Sequence, residues 1–237
     1  MSISIKYFPH SWFQIKTKDI VLYIDPAWVQ SYFNNYPKKV IFSHYPEPMD
    51  GLPEEDLEKA DLILITHHHK DHQKKATVER LSKKDTVVIG TKKCVTDLGK
   101  IKVITPNDVF EVKGIQVKAI NSYNTVNGSS TKKVHNKGEC NSYVIRLEGK
   151  AIYHAGDTDF IPEMKELGKI DVALLPIGGR FTMNIDEAVE ASLAIHSRIV
   201  IPMHFLESDP QEFKSKLESK SYIKVVVLNT GETYILK

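Results

Sequence analysis

The sequence has few cysteines and almost no net charge, and each shortage argues against a class of protein. Two cysteines, Cys94 and Cys140, cannot form a disulfide framework, and we expect reduced thiols packed as small apolar groups rather than a redox pair. The formal net charge of the 237 residues is +2, from 32 basic and 30 acidic side chains. This balance argues against a dedicated nucleic-acid surface, so no nucleic-acid partner is expected.

Long apolar runs are also missing. No run approaches the roughly 20 residues of a membrane-spanning helix, and the opening MSISIKYFPHSWF has no apolar stretch of signal-peptide length. We therefore expect a cytoplasmic protein with no membrane partner. The lack of a Pro/Gly/Ser-rich linker or low-complexity tract favours a single domain over residues 1–237. No heptad pattern or apolar stripe indicates the oligomeric state.

Short β-branched runs are what the chain has in abundance, and they predict strands. They are SISIKYF, DIVLYID, DLILIT, TVVIG, GIQVKAI, NSYVIRLE, KAIYHAG, DVALLPI, RIVIPMHF, IKVVVLN and ETYILK. The first of them alternate and are expected to pair as hairpins, whereas DLILIT, DVALLPI and RIVIPM are apolar throughout, as in strands buried on both faces.

Helices are predicted by HQKKATVERLSKK, by NIDEAVEASLAIH and by residues 209–220. Many strands with helices among them predict an α/β fold of mixed sheets covered by helices. The proline-rich residues 43–56 are expected to form a surface loop over a functional site.

A cluster of histidines follows the predicted strand DLILIT. Within residues 67–72, His67, His69, Asp71 and His72 offer the imidazole nitrogens and the carboxylate that zinc prefers. In extended backbone His67 and His69 lie on the same side, so Asp71 and His72 point differently and could hold a second ion. The alternative is a solvated polar turn, but such turns draw on Gly, Asn and Pro, which this segment lacks.

Three further candidate ligands are expected at the ends of strand-like runs. They are His135 in VHNKGECNSYVI, Asp157 in KAIYHAGDTDF and His204 in RIVIPMHF. A lone histidine is more often packed or capping, but open α/β sheets build their sites at the carboxyl ends of strands. The recurrence of one structural position favours a metal site.

These motifs resemble those of the metallo-β-lactamase superfamily. THHHKDH matches its H-x-H-x-D-H signature, and GDTD and PMHF follow in the expected order. PHSWFQIK, VLYIDP, HAGDTDFIPEM and LLPIGGRFTMNIDEAVEA resemble a branch of metal-dependent hydrolases similar to the ascorbate-6-phosphate lactonases. The resemblance covers nearly the whole chain. It implies the αβ/βα four-layer sandwich, with two mixed sheets, helices outside and the site at one edge.

The resemblance also implies which residues bind two divalent ions, which are expected to be zinc, with manganese or iron as alternatives. The first ion would be bound by His67, His69 and His135. The second would be bound by Asp71, His72 and His204, and Asp157 would bridge the two. His10 is a rival to His135 as a ligand, but in this branch it more plausibly lines the pocket or contacts the substrate.

Other polar residues receive supporting roles from the same resemblance. Asp25 is similar to the carboxylate that orients ligand imidazoles from behind, since ligating histidines need such a partner to fix their tautomer. His154 is close enough in sequence to Asp157 to support it, and the alternative is a packed histidine. Backbone N–H groups of IGGRFTM and the side chain of Arg180 are expected to contact an anion, although Arg180 is equally well explained as a surface charge. His44, His68 and His196 are expected to have no role.

The expected reaction is hydrolysis of an ester-type bond, a lactone, thioester or phosphodiester, in a small molecule. Two ions can share a hydroxide that serves as the nucleophile, and Asp71 beside it could carry a proton to the leaving group. A diiron redox protein of the same fold is an alternative, but those relatives carry glutamate where this chain has His69. A phosphodiesterase or nuclease-like activity is a second alternative, against which the balanced charge argues, and a non-catalytic metal-binding protein is a third.

Overall fold

The computed structural model describes residues 2–27 and 57–237. They form two compact units, unit 1 with Met1–Val103 and Asn229–Lys237, and unit 2 with Ile104–Leu228. Each unit contains a seven-stranded mixed sheet, and helices lie between some of its strands along the chain. This confirms the expected α/β fold class. The single domain over residues 1–237 stays a prediction. The predicted loop 43–56, with His44, lies outside the described residues.

The sheet of unit 1 joins an antiparallel half to a parallel half. Its strands are β1 (Ile3–Tyr7), β2 (Phe13–Lys16), β3 (Val21–Ile24), β4 (Leu62–Leu64), β5 (Val87–Gly90), β6 (Lys102–Val103) and, from the end of the chain, β14 (Thr233–Leu236). They are ordered β14-β1-β2-β3-β4-β5-β6. Pairing is antiparallel from β14 to β3 and parallel from β3 to β6. Strands β3 and β4 therefore end at the same edge of the sheet.

Among the described residues of unit 1, two helices accompany this sheet: α1 (Lys75–Leu81) and the short α2 (Val95–Leu98), which follows a 3-10 turn at Lys92–Cys94. Helix α1 buries Val78 and Leu81 in one apolar cluster with Trp12, Tyr23 and Ile63. The segment HQKKATVERLSKK therefore forms the predicted helix over its middle seven residues. This packing fixes the segment directly after the histidines to the face of the sheet.

The sheet of unit 2 repeats the same plan. Its strands are β7 (Val109–Val112), β8 (Ile115–Ser122), β9 (Cys140–Leu147), β10 (Lys150–His154), β11 (Val172–Pro176), β12 (Ile199–Met203) and β13 (Lys224–Val225). The order is β13-β12-β11-β10-β9-β8-β7. Pairing is antiparallel from β7 to β10 and parallel from β10 to β13. Strands β10, β11 and β12 therefore end at one edge.

The helices of unit 2 begin and end as the sequence predicts. Helix α3 (Ile185–Ile195) begins after Asn184, whose side chain accepts from the N–H of Glu187, and ends at His196 in the left-handed conformation. Helix α4 (Pro210–Lys220) begins after Asp209 and buries Phe213 and Leu217. A 3-10 turn covers Pro162–Glu166.

In each unit a buried aspartate forms hydrogen bonds to a neighbouring strand at the amino end of the parallel strands. In unit 1 the N–H of Val21 donates to the Asp61 carboxylate at 2.9 Å, and the Asp61 N–H returns to the Val21 carbonyl at 2.7 Å. In unit 2 the pair is Ala151 and Asp171, with distances of 2.9 and 2.8 Å. These buried carboxylates hold neighbouring strands together at the edge opposite the one that carries the candidate metal ligands.

All of the predicted strands form, but three others were not predicted. Strand β2 lies between β1 and β3, so the two predicted strands at the start of the chain each pair with β2 instead of with each other. Strand β6 has two residues, and β7 is an edge strand with partly exposed side chains, so neither carries much apolar signal. Within the described residues, no helix has the length and apolar character needed to cross a membrane.

Candidate metal ligands in the two units

The histidines of the THHHKDH motif lie on a tight turn between β4 and α1. The N–H groups of His72 and Gln73 both donate to the carbonyl of His69 at 3.0 Å, which reverses the chain directly after the strand. His67 and His72 are fully buried, and Asp71 is about a third exposed. We call His10, His67, His69, Asp71 and His72 the unit 1 cluster.

Asp25, which follows β3, holds His72 from behind. Its Oδ2 lies 2.7 Å from Nδ1 of His72, and both side chains are completely buried. A carboxylate only accepts, so His72 donates its Nδ1–H and its Nε2 is the nitrogen that can bind a metal. Asp25 itself is fixed by the N–H of Thr66, which donates to Oδ1 at 2.7 Å, and by its own N–H, which donates to the Leu64 carbonyl at 2.9 Å.

Thr66 extends this arrangement to His67. The Thr66 hydroxyl donates to Oδ2 of Asp25 at 2.7 Å, and Nδ1 of His67 lies 3.0 Å from the same hydroxyl oxygen. Because the hydroxyl hydrogen is used by Asp25, the oxygen accepts from the Nδ1–H of His67. One buried carboxylate therefore fixes the tautomers of two imidazoles, one directly and one through Thr66, and leaves Nε2 as the ligand atom in both.

One ring nitrogen of His67 lies close to one ring nitrogen of His69. Nε2 of His67 lies 3.0 Å from Nδ1 of His69, and the two rings are nearly perpendicular. At this separation the nitrogens share either a proton or a metal ion. His68, between them in sequence, has its ring 4.7 Å from that of His69.

His10 contacts Asp71 across the unit 1 cluster. Its Nε2 lies 2.7 Å from Oδ2 of Asp71, and that oxygen is 3.9 Å from Nε2 of His72. His10 has a left-handed backbone with φ of 70°, and the Tyr7 hydroxyl donates to its carbonyl at 3.3 Å. Burial raises the pKa of Tyr7 well above its ordinary value, so the hydroxyl stays protonated and a donor.

The outer side of the turn is tied to α2. Lys70 and Gln73 both donate to Oδ2 of Asp97 at 3.1 Å. The hydrogen bond from Lys70 holds the pKa of Asp97 below its usual range, so the carboxylate stays ionised near neutral pH. The turn is therefore held on its buried side by Asp25 and on its solvent side by Asp97.

In unit 2, Asp157 brings two histidines together. It follows β10, is almost fully buried, and has its carbonyl fixed by the Ser122 hydroxyl at 2.7 Å. Its Oδ2 lies 3.5 Å from Nε2 of His135 and 3.2 Å from Nε2 of His204. We call His135, Asp157 and His204 the unit 2 cluster.

His135 lies in the long connection between β8 and β9, so the expectation that it sits at the end of a strand is wrong. Its Nδ1 lies 3.2 Å from two acceptors, Oδ1 of Asn124 and the carbonyl of Phe181. The Nδ1–H must therefore donate, and Nε2 faces the Asp157 carboxylate with a lone pair. Two acceptors that face one another require a proton on one of them or a cation between them, and a shared metal ion would meet this requirement.

His204 is the first residue after β12, as predicted, and has a left-handed backbone with φ of 50°. Gly178 packs against it so closely that an added Cβ would lie 2.6 Å from the His204 carbonyl oxygen. Glycine at this position is therefore explained by the approach of the two backbones.

Arg180 and the loop around it differ from the expected anion site. The N–H groups of Ile177, Gly179 and Met183 donate to the carbonyls of Met203, Met183 and Thr158, so these three N–H groups are already bonded within the protein. The Arg180 side chain is exposed, with its guanidinium 5.2 Å from the centre of the Phe181 ring. This placement matches the surface-charge alternative, and its contact with a substrate stays a prediction.

His154 is completely buried at the end of β10, where the N–H of Gly156 donates to its Nδ1 at 3.2 Å. It thus braces the turn that leads to Asp157, and a direct role at a metal stays a prediction. His196 is exposed and ends α3.

Sequence reasoning missed Thr66 and Asn124, which orient His67 and His135. Thr66 directly precedes the histidine signature, so its place next to a ligand was a usable signal. Asn124 is 11 residues before His135 and carries no such signal.

Comparison with known proteins agrees with this architecture. A family model for the beta-lactamase superfamily domain matches residues 4–204. A UPF0173 metal-dependent hydrolase of Pyrococcus abyssi is 32% identical over 97% of this chain and 98% of its own, and one of Pyrococcus furiosus is 36% identical over 78% and 86%. Among solved structures, Igni18, a metallo hydrolase from Ignicoccus hospitalis, is 28% identical with a TM-score of 0.75, covering 100% of this chain and 99% of its own.

Two mixed sheets with histidines and aspartates near the ends of their strands, together with these matches, define the metallo-β-lactamase fold. The chain belongs to the metallo-β-lactamase superfamily and, within it, to the family of the UPF0173 metal-dependent hydrolases. The superfamily and its hydrolase branch are thus confirmed as expected from the sequence. The similarity to ascorbate-6-phosphate lactonases stays a prediction.

Proposed function

We propose that this metal-dependent hydrolase uses two divalent ions to cleave an ester-type bond in a small molecule. The proposed ligands, which follow from the resemblance, are His67, His69, His135, Asp71, His72, His204 and Asp157. The observation that carries the proposal is the set of fixed tautomers: Asp25, Thr66 and Asn124 hold the Nδ1 atoms of His72, His67 and His135, which leaves each Nε2 as the ligand atom.

The donor set fits a borderline metal such as zinc, with manganese or iron as alternatives. Imidazole nitrogens outnumber carboxylates, and His67 and His69 already present two nitrogens at 3.0 Å. Asp157 has one oxygen facing two imidazoles, as a ligand shared by two ions does. When bound, the ions supply the positive charge that makes a water molecule acidic enough to attack at neutral pH.

The chain's own residues supply binding, orientation and proton transfer. Asp71, partly exposed and held by His10 at 2.7 Å, is placed to accept a proton from the attacking water and return it to the leaving group. His10 holds this carboxylate in one orientation. Asp25 accepts the Nδ1–H of His72, which fixes the tautomer of the ring and leaves Nε2 as its ligand atom.

Lactones, thioesters and phosphodiesters are the proposed substrate classes, with a lactone first because of the resemblance noted in the sequence. A diiron redox activity is not favoured, since the chain places a histidine at position 69 where redox relatives carry glutamate. A small-molecule substrate is proposed because the chain's nearly balanced charge argues against a dedicated nucleic-acid surface.

Metal content per chain, measured by elemental mass spectrometry on protein purified without chelator, tests the proposal first. We expect about two equivalents of zinc, manganese or iron per wild-type chain, because the proposed mechanism uses two metal ions. Asp157→Ala should lose at least one equivalent and all turnover of a panel of lactones, thioesters and phosphodiesters. Asp171→Ala is the matched control, because it removes a buried aspartate of the same unit that pins strands.

Retention of both ions and full turnover in Asp157→Ala would overturn the dinuclear proposal. Iron bound together with a flavin, or no metal uptake by the folded wild type, would overturn the hydrolytic proposal. The Asp171→Ala protein should lose thermal stability while keeping its metal, so a loss of metal in both variants would show that unfolding explains the result.

A further inference from the structure

Asp159, the last residue of the GDTD motif, lies at the centre of the loop that carries His135. Its side chain is completely buried. Its carboxylate accepts from the N–H of Thr125 at 2.8 Å, from the N–H of Ser130 at 3.2 Å and from the ammonium of Lys133 at 3.0 Å. All three donors belong to residues 124–135, which we call the His135 loop. The loop is thus folded around one buried side chain.

The close packing around Asp159 leaves no space for a side chain at position 128. A Cβ added at Gly128 would lie 2.1 Å from Oδ2 of Asp159. Lys133 also donates to the Gly128 carbonyl at 2.6 Å and to the Ser130 hydroxyl at 2.9 Å. These contacts close the loop on itself, whereas Val126 at its tip is 95% exposed and adds no packing.

This arrangement couples His135 to Asp157. Asp159 is two residues after Asp157, and its N–H donates to the Tyr123 carbonyl at 3.1 Å, directly before the loop begins. The loop ends where the N–H of Asn124 donates to the His135 carbonyl at 2.9 Å. The segment that presents the Asp157 carboxylate therefore also anchors, through Asp159, the loop that presents the His135 imidazole.

We propose that Asp159 is a positioning residue that holds His135 in its metal-binding place beside Asp157. This inference rests on the proposed function, since it assumes that His135 is a ligand. Ser129 is also held by Glu187, and the N–H groups of Thr131 and Lys132 donate to the carbonyls of Gly179 and Arg180. Without the Asp159 carboxylate the loop would still lose three of its hydrogen bonds, and the corresponding order would have to be supplied when the metal binds. Asp159 supplies that order beforehand through three donors.

The test compares variants that disturb the loop from different sides with a direct removal of the ligand. Asp159→Ala removes the acceptor, Gly128→Ala pushes a methyl group against it, and Lys133→Met removes only the cation. His135→Ala is the reference for loss of the ligand. Asp108→Ala is the control, because Asp108 also accepts a backbone N–H and a hydroxyl, both from Thr105, outside the loop.

Two readouts separate positioning from general stability: the affinity for zinc, measured by titration of metal-free protein, and the visible absorption of the cobalt(II)-loaded protein. For Asp159→Ala and Gly128→Ala we expect the affinity of the His135-dependent site to fall about 10–100-fold, the range for residues that orient a ligand. The cobalt spectrum should shift toward that of His135→Ala. Lys133→Met should have a smaller effect, and Asp108→Ala none.

Wild-type affinity and spectrum in either Asp159→Ala or Gly128→Ala would overturn the inference, provided that His135→Ala does weaken binding. If Asp159→Ala does not fold, Gly128→Ala and Lys133→Met decide the question by the same criterion. If His135→Ala binds both ions like the wild type, the proposed ligand set fails instead. The two failures are therefore distinguishable.

Discussion

The two units share a plan at one edge of their sheets and differ at the other. At the amino ends of the parallel strands, Asp61 and Asp171 make the same pair of backbone contacts. Beyond the carboxyl ends, unit 1 presents most of its histidines and its candidate ligand Asp71 from one turn, whereas unit 2 collects His135, Asp157 and His204 from three separate segments.

The means of orienting the imidazoles differ in the same way. In unit 1 one buried carboxylate, Asp25, fixes two rings. In unit 2 the amide of Asn124 and a backbone carbonyl fix His135. The comparison therefore teaches that the imidazoles of unit 1 depend on one shared acceptor, whereas His135 of unit 2 depends on the folding of a loop.

Replacing Asp25 should have the largest effect. Asp25→Ala leaves His72 and Thr66 without their common acceptor, and each buried donor left unsatisfied costs roughly 1–3 kcal/mol of unfolding free energy. We also expect metal affinity to fall about 10–100-fold. Chemical denaturation and zinc titration measure the two quantities. Asp61→Ala is the control, and it should lose stability while keeping its metal; equal metal loss in both would contradict the role of Asp25.

Replacing Asn124 should have an intermediate effect. Asn124→Ala removes an acceptor for the N–H groups of Val134 and His135 and for Nδ1 of His135, while the Phe181 carbonyl remains 3.2 Å from that Nδ1. Metal affinity should fall about tenfold, at the low end for an orienting residue. Isothermal titration with zinc checks this, with the buried Asn141→Ala as control. A loss larger than that of Asp25→Ala would reverse the ranking of the two units.

Replacing Thr66 should have the smallest effect of the three. Thr66→Val keeps the shape of the side chain and the backbone N–H that donates to Asp25, and it removes only the hydroxyl between Asp25 and His67. The expected cost is about 1–2 kcal/mol in unfolding free energy, with less than a tenfold change in zinc affinity. Thermal unfolding and zinc titration measure the two quantities. The variant Thr66→Ser retains a hydroxyl, so both quantities should return to their wild-type values. An effect as large as that of Asp25→Ala would mean that His67 depends on Thr66 more than this geometry indicates.

Much of the fold could be predicted because apolar runs and caps are local signals. The strands DVALLPI and RIVIPM are buried on both faces, and Asn184 and Asp209 precede their helices as capping residues. Strand β7 escaped prediction because edge strands need little apolar surface. Strand β2 is short, and its place between β1 and β3 depends on pairing between segments.

The sequence by itself indicated the part of the unit 1 cluster within residues 67–72, because these histidines and Asp71 follow one buried strand within six residues and leave a signature that needs no long-range contact. It also placed Asp157 and His204 after buried strands, and the resemblance pointed to Asp25 as an orienting carboxylate. Only the tertiary structure decided which partner each group meets. Asp25 meets His72 from 47 residues away, and His10 meets Asp71 from between β1 and β2. Asn124 and Phe181 meet at His135 from two different loops. Tautomers and ring orientations depend on hydrogen bonds between such distant segments, and these contacts form only when the chain folds.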